Sequence, residues 1–205
     1  MESETTQRQP GLGDQFPELT VQSSHGELSL PDAYEGEWFV LFSHPGDFTP
    51  VCTSEFVAFQ RRHDEFEALG VNLVGLSVDR VHSHIEWVTW IEDELDVRIE
   101  FPIVADEAGD VATRLGMVHP EVGASTVRSV YVVDPEGTIR LVLQYPMEIG
   151  RNIPEILRSI RALQTADDHD VAVPGDWPDH PDFGDRVLLE PPSDVTAAAA
   201  RLDEA

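Results

Sequence analysis

The sequence predicts an α/β fold: a mixed central sheet flanked by helices, followed by an extended C-terminal arm. Three observations carry this. Apolar runs alternate with segments of helical spacing, a two-strand hairpin comes next, and after Gln164 periodicity gives way to Asp and Pro. A length of 205 residues fits one domain with a full core, and we place that domain at 1–165 and the arm at 166–205.

In chain order, Phe16 to Leu30 holds two short alternating runs broken at His25-Gly26, the pattern of a small hairpin. The run E-W-F-V-L-F-S-H, Glu37 to His44, is nearly continuous in apolar character, as in a strand buried on both faces, and Pro45-Gly46 ends it. From Thr49 onward Val51, Phe56, Phe59, Phe66 and Leu69 recur near helical spacing, and Gly70 stands where a helix C-cap belongs. Val71 to Val78 predicts a second strand. His84 to Glu94 predicts a helix with Ile85, Val88 and Ile91 on one face. Ile103-Val104 after Pro102 forms a short strand, and Glu107 to Leu115 a short helix closing at Gly116. The runs V-R-S-V-Y-V-V-D and T-I-R-L-V-L-Q-Y, joined by Pro135-Glu136-Gly137, have the turn chemistry of a hairpin. Asn152 caps a last helix through Leu163, with Pro154 in its first turn. That order of elements is thioredoxin-like. The arm ends in a short helical piece, Asp194 to Leu202, and its Trp177 and Phe183 need something to bury them.

Charge excludes several function classes. Asp and Glu number 39 against 13 basic residues, all of them Arg, for a net of -26. A chain this acidic has no footprint for nucleic acid or anionic lipid. No apolar run approaches the roughly 18–20 residues of a membrane span, and the polar start M-E-S-E-T-T lacks the features of a secretory signal, so a cytoplasmic location is expected. Self-repulsion on this scale is screened at about 1 M salt, where the Debye length is about 3 Å. A high-salt cytoplasm, that of a halophilic archaeon, is the expected setting.

Cys52 is the single cysteine, which leaves a packed thiol, a metal ligand or a reactive nucleophile. It falls in the first turn of a helix after a buried strand, where unpaired backbone N–H groups favour thiolate. Its surroundings, P-G-D-F-T-P-V-C from Pro45 to Cys52, match P-x-x-x-T-x-x-C, the active-site motif of the peroxiredoxins. Two more blocks agree. R-S-V-Y-V-V-D from Arg128 resembles the strand bearing that family's catalytic arginine, and Y-P-M-E-I-G-R-N-I-P-E-I-L-R from Tyr145 resembles the one-cysteine, six-type subfamily. The arm's V-P-G-D-W fits the same subfamily, and the resemblance spans about Phe16 to Leu202.

The resemblance implies a thiol-specific peroxidase that reduces hydrogen peroxide and organic hydroperoxides to water and alcohols. Cys52 would attack the terminal peroxide oxygen and become a sulfenic acid, Thr49 and Arg128 would hold the peroxide, and Pro45 would shield the sulfur. His44, which matches the subfamily's S-H-P, would touch a bound peroxide or a ligand, and Glu55 and Arg151 would orient the site from behind. Read without the resemblance, Pro45 ends a strand, Arg128 is a surface arginine on an amphipathic strand and Glu55 lies on a helix surface. Activation by pKa alone is weak for any thiol. A drop of about 2.5 units raises the thiolate fraction near 30-fold at pH 7, but lower nucleophilicity returns a factor of about 10. Speed must come from positioning the peroxide and stabilising its leaving oxygen. With no second cysteine, an external thiol or dithiol has to resolve the sulfenic acid, and over-oxidation is a hazard. The resemblance also implies a homodimer or ring of dimers.

No cofactor and no metal are expected. Eight histidines include the pair His82 and His84, but no spaced ligand set resembles a zinc site, and solvated loop histidines are the expectation. G-A-S-T-V at Gly123 lacks the second glycine of a nucleophile elbow, so a lipase-like activity is not carried over. The rival to an enzyme is a redox sensor or holdase-type oligomer on the same scaffold. A thioredoxin-type disulfide reductase is disfavoured because T-x-x-C replaces C-x-x-C.

Overall fold

The computed structural model of the chain describes residues 8–118 and 125–187. The helical piece expected at Asp194 to Leu202 lies outside these residues, as does Gly123. The strands are β1 (Leu19–Ser23), β2 (Gly26–Leu30), β3 (Trp38–Ser43), β4 (Val71–Ser77), β5 (Ile103–Ala105), β6 (Arg128–Val133) and β7 (Ile139–Tyr145). They form one sheet in the order β2-β1-β5-β4-β3-β6-β7. The middle strands β3, β4 and β5 run parallel, while β6 and β7 on one side and β1 and β2 on the other pair antiparallel. The mixed thioredoxin-like sheet is therefore present.

The helices are α1 (Pro50–Gln60), α2 (His63–Ala68), α3 (Val81–Leu95), α4 (Asp110–Arg114) and α5 (Ile153–His169). The chain divides into two units, Met1–Arg151 and Asn152–Ala205. In the first, β3 is buried at every residue and feeds both sides of the sheet. Phe39 and Leu41 join a core with Phe16, Leu76, Val111 and Tyr131. On the other side Phe42 stacks on Phe59 with ring centroids 4.1 Å apart and meets Phe56 edge-on at 5.4 Å. Each fully buried ring of this kind contributes about 1.5–3 kcal/mol, so α1 is pinned by aromatic burial. Gly75 of β4, beside Phe42 in the parallel register, makes room for it: a Cβ there would lie 3.1 Å from Phe56 Cζ.

Three expectations need correction. The helix expected to run from Thr49 to Leu69 is two helices, because at Arg62 the amide bonds Phe59 O at 3.1 Å, a tightened turn, before Phe66 N restarts the pattern on Arg62 O. On α3 the buried face is His84, Trp87 and Ile91, whereas Ile85 is exposed. The face is turned by one residue because His84 has tertiary hydrogen-bond partners that hold it inside. The last helix, capped by Asn152 accepting from Glu155 N at 3.3 Å, runs six residues past Leu163 and stops at left-handed Asp170. Within this second unit the half-buried Trp177 is held at both ends. Its Nε1 donates to Asp185 O at 2.9 Å, and its carbonyl accepts from Arg158 Nη1 at 3.1 Å. Phe183 packs on His180 at 4.4 Å.

Candidate active site

The end of β3 delivers Ser43 and His44 to a loop whose last residue, Thr49, is the N-cap of α1. Pro50 occupies the first helical position, where no N–H is lost, and Cys52 follows in the first turn. Thr49 Oγ1 donates to Gly46 O at 3.0 Å instead of capping the helix, so first-turn amides of α1 keep their unpaired N–H groups near the sulfur. Phe48 takes the left-handed conformation at φ 56, which turns the chain into Thr49. Cys52 is fully buried.

Arg128, the first residue of β6, reaches the sulfur. Its Nη1 donates to Cys52 Sγ at 3.3 Å and to Glu55 Oε2 at 2.6 Å, while Nε and Nη2 both donate to Met147 O at 3.0 and 2.8 Å. Arg128 and Glu55 are each 3% exposed, so neither is the surface residue that its strand or helix position alone allows. Glu55 accepts four N–H bonds: one from Arg128, and three at 2.8 Å from Arg151, through its backbone N, Nε and Nη2. Burial by itself would raise the Glu55 carboxyl. The charge and hydrogen bonds of Arg151, with the charge of Arg128, outweigh burial and hold it below the ordinary carboxylate range. Arg151 in turn donates from Nη1 to Ser43 O at 2.8 Å and Ser129 O at 3.1 Å, and its guanidinium lies 5.0 Å over Phe42. One ionic network thus ties β3, α1 and β6 together behind the thiol.

A second polar group lies where the sequence predicted solvated histidines. His44 Nε2 and Asp47 Oδ1 are 2.9 Å apart, and His84 Nδ1 lies 2.9 Å from Asp47 Oδ2. His44 and His84 are fully buried, which corrects the expectation for His84. Asp79 fastens the loop from below, its Oδ2 accepting from Asp47 N at 2.9 Å and Ser77 Oγ at 2.8 Å. These residue types can also take a divalent cation, yet contacts of 2.9 Å among them are hydrogen bonds that use the same lone pairs. Asp47 occupies an unspecified position of the P-x-x-x-T-x-x-C stretch, so the motif carries no signal for it. His84 could have been found only by asking what a histidine on the inner face of α3 would bond.

The structure therefore brings Cys52, Arg128, Glu55 and Arg151 into one set of contacts, with Thr49 one turn away. Pro45 opens the loop and His44 turns its ring toward Asp47. A buried sulfur meeting a guanidinium and a helix N-terminus is a place where negative charge on sulfur or on an attacked oxygen is stabilised.

Comparison with known proteins gives the family. The model of the AhpC/TSA family matches residues 12–142, and that of the C-terminal domain of 1-Cys peroxiredoxin matches residues 162–205. A peroxiredoxin of Archaeoglobus fulgidus is 55% identical over 196 residues, 96% of this chain and 91% of that protein. The chain belongs to the peroxiredoxins. This peroxiredoxin is also 55% identical to Peroxiredoxin 2 of Sulfurisphaera tokodaii, over 95% of this chain and 92% of the relative. Among solved structures, a cysteine-to-serine mutant of Peroxiredoxin 6 of Arenicola marina superposes with a TM-score of 0.81 at 36% identity, covering 93% of this chain and 88% of that one. Yeast mitochondrial 1-Cys peroxiredoxin gives a TM-score of 0.80 at 38% identity, covering 93% and 91%. As a peroxiredoxin with one cysteine, the protein is a peroxide reductase of the thiol peroxidase class.

Proposed function

We propose that this peroxiredoxin reduces hydrogen peroxide and organic hydroperoxides to water and alcohols through a Cys52 sulfenic acid that an external thiol or dithiol resolves. The observation that carries the reading is the Arg128 guanidinium on the Cys52 sulfur, 3.3 Å away in a buried setting. Thiolate sulfur attacks the terminal peroxide oxygen. The S–O bond forms as the O–O bond breaks, and the departing alkoxide or hydroxide takes a proton to leave as alcohol or water. Arg128 Nη2 donates one N–H to Met147 O and has a second to offer a peroxide oxygen. Thr49 Oγ1, which donates to Gly46 O, keeps lone pairs for a peroxide O–H. Pro45 walls off the loop, His44 faces the bound peroxide, and Glu55 with Arg151 fixes Arg128.

The single cysteine supports resolution by an outside thiol. The yeast relative's structure is described as the basis of a thiol resolving mechanism via glutathione/thioredoxin systems, which makes low-molecular-weight and protein thiols the reductants to try. Self-association into a homodimer or ring of dimers is part of the proposal. The exposed Phe48 and Trp90, with ring centroids 6.0 Å apart, offer an apolar contact beside the active-site loop. A cytoplasmic location in a high-salt cell is the setting the acidic composition supports.

The test is peroxide consumption with dithiothreitol, together with stopped-flow oxidation of Cys52 by hydrogen peroxide. Turnover should vanish in Cys52→Ser. Oxidation of intact Cys52 no faster than that of free cysteine would remove the enzymatic reading in favour of a sensor or holdase.

A further inference from the structure

Two acceptors meet His84. Its Nε2 lies 3.2 Å from Val104 O, and its Nδ1 lies 2.9 and 3.1 Å from the two oxygens of Asp47. A backbone carbonyl only accepts hydrogen bonds, and so does an ionised carboxylate. Both His84 nitrogens therefore face acceptors, and Nδ1, the nearer contact, donates to Asp47. Asp47 stays ionised although burial opposes it, because the hydrogen bonds it accepts from His44 and His84 outweigh burial and hold its carboxyl well below the ordinary range.

An ionised Asp47 fixes its other neighbour. Oδ1 at 2.9 Å from His44 Nε2 can only accept, so Nε2 carries the hydrogen. Burial keeps the His44 ring neutral, and Nδ1 is left with the lone pair. That atom is buried and has no partner among the described residues, a costly arrangement for a polar group unless a ligand uses it. The ring lies against the helix face that bears the thiol. It contacts Phe56 at a centroid distance of 4.8 Å, and Phe56 is four residues after Cys52 on α1, hence its neighbour on the same face. The His44 carbonyl, held by Thr126 Oγ1 at 2.6 Å, keeps the backbone from following any ring movement.

We propose that Asp47 and His84 are positioning residues for peroxide reduction: they lock His44 in the tautomer whose bare Nδ1 accepts a hydrogen bond from the O–H of the bound peroxide. This rests on the peroxidase reading above and adds two residues to it. The thiolate needs the peroxide's terminal oxygen in line, and His44 Nδ1, sharing that oxygen's hydrogen with the Thr49 Oγ1 lone pairs, sets its rotation about the O–O bond, which the donors Arg128 and the α1 amides cannot do.

The experiment pairs two rates with a spectroscopic readout. Ring nitrogen-15 shifts of the wild-type protein at pH 7 should show His44 protonated at Nε2 only and a hydrogen on His84 Nδ1. Stopped-flow oxidation by hydrogen peroxide should slow about 10- to 100-fold in His84→Leu and Asp47→Ala, the usual cost of losing a partner that orients a functional imidazole. Alkylation by chloroacetamide, which needs the thiolate but no peroxide, should change by less than about 2-fold. His84→Asn, which keeps an N–H near the Nδ1 position, should recover most of the peroxide rate lost in His84→Leu. Combined with His44→Ala, His84→Leu should add no further loss, since both act through one ring. A His44 protonated at Nδ1, or a His84→Leu protein oxidised at the wild-type rate, overturns the proposal while leaving the peroxidase reading intact. Wild-type oxidation no faster than free cysteine overturns both.

Discussion

Arg128 distributes its five N–H groups so that one guanidinium does three jobs. It bonds the Cys52 sulfur, the Glu55 carboxylate and the Met147 carbonyl, and has one N–H beyond those contacts to offer an incoming oxygen. Removing it should therefore cost far more in peroxide attack than in thiolate formation. Arg128→Ala is expected to slow oxidation by hydrogen peroxide about 100- to 1000-fold, the range for one lost donor to a developing oxyanion. Its alkylation by chloroacetamide should fall only a few-fold. Thr49→Val should show the same split at smaller size, and equal losses in the two rates would refute this division of labour. Arg128→Lys is no compromise, because a point charge on a flexible stem cannot hold three acceptors at once. Glu55 is the counterpart. It separates two buried guanidinium groups, so Glu55→Gln leaves both uncompensated and should cost about 3–5 kcal/mol in urea unfolding.

At the scale of elements, the site depends on where α1 sits, and α1 sits on glycine. Gly75 lies in β4 under the Phe56 ring, and the methyl of Gly75→Ala would meet Phe56 Cζ at 3.1 Å and Ile103 Cγ2 at 3.4 Å. The ring must yield, and Phe56 shares its helix with Cys52 and Glu55. The substitution is expected to destabilise by about 1–3 kcal/mol, as overpacked cores do. Adding Phe56→Leu should return part of that loss, a coupling that a double-mutant cycle in urea measures. Full additivity would mean the ring is not what the methyl meets. This close approach was invisible in the sequence, where Gly75 is only a glycine within an apolar run. Strand β3, helix α1 and the β6–β7 hairpin were legible because burial pattern and turn residues act locally. The convergence of Cys52, Arg128, Glu55 and Arg151 was legible only through resemblance, since residues up to 96 positions apart meet there. The α3 face was misread because hydropathy ranks Ile85 above His84. Yet a histidine whose two nitrogens both find partners can be buried, and Ile85 is left outside. The break at Arg62 has no breaker residue to announce it.

For the whole molecule, two charge effects oppose each other, and salt separates them. The net charge of -26 pushes the folded chain apart at neutral pH, and acid relieves that by protonating carboxylates. Inside the site the sign is reversed. Burial lowers the His44 pKa below its ordinary 6.5, with Asp47 opposing, so its contribution is complete above that pH and declines below it, as the unfolded ring binds a proton the folded one refuses. Glu55 and Asp47, both held below their unfolded values of 4.5 and 3.8, continue the loss as pH falls through that range. Asp106, raised by burial, works the other way. Raising potassium chloride from about 0.1 M to about 1 M shortens the Debye length from about 10 Å to about 3 Å, which screens the surface but hardly touches buried pairs. At pH 7 this should raise the Tm by about 5–15 °C, a few kcal/mol for a chain of this size, and an equal molarity of sucrose should do less. The decisive comparison is the pH profile. At high salt, where surface repulsion is already screened, the Tm should drop steadily from pH 7.5 to pH 4. At low salt the relief of repulsion should flatten or invert that drop. Parallel profiles at the two salt levels would mean that the acidic surface is not what limits stability in dilute buffer, and the high-salt setting would lose its physical support.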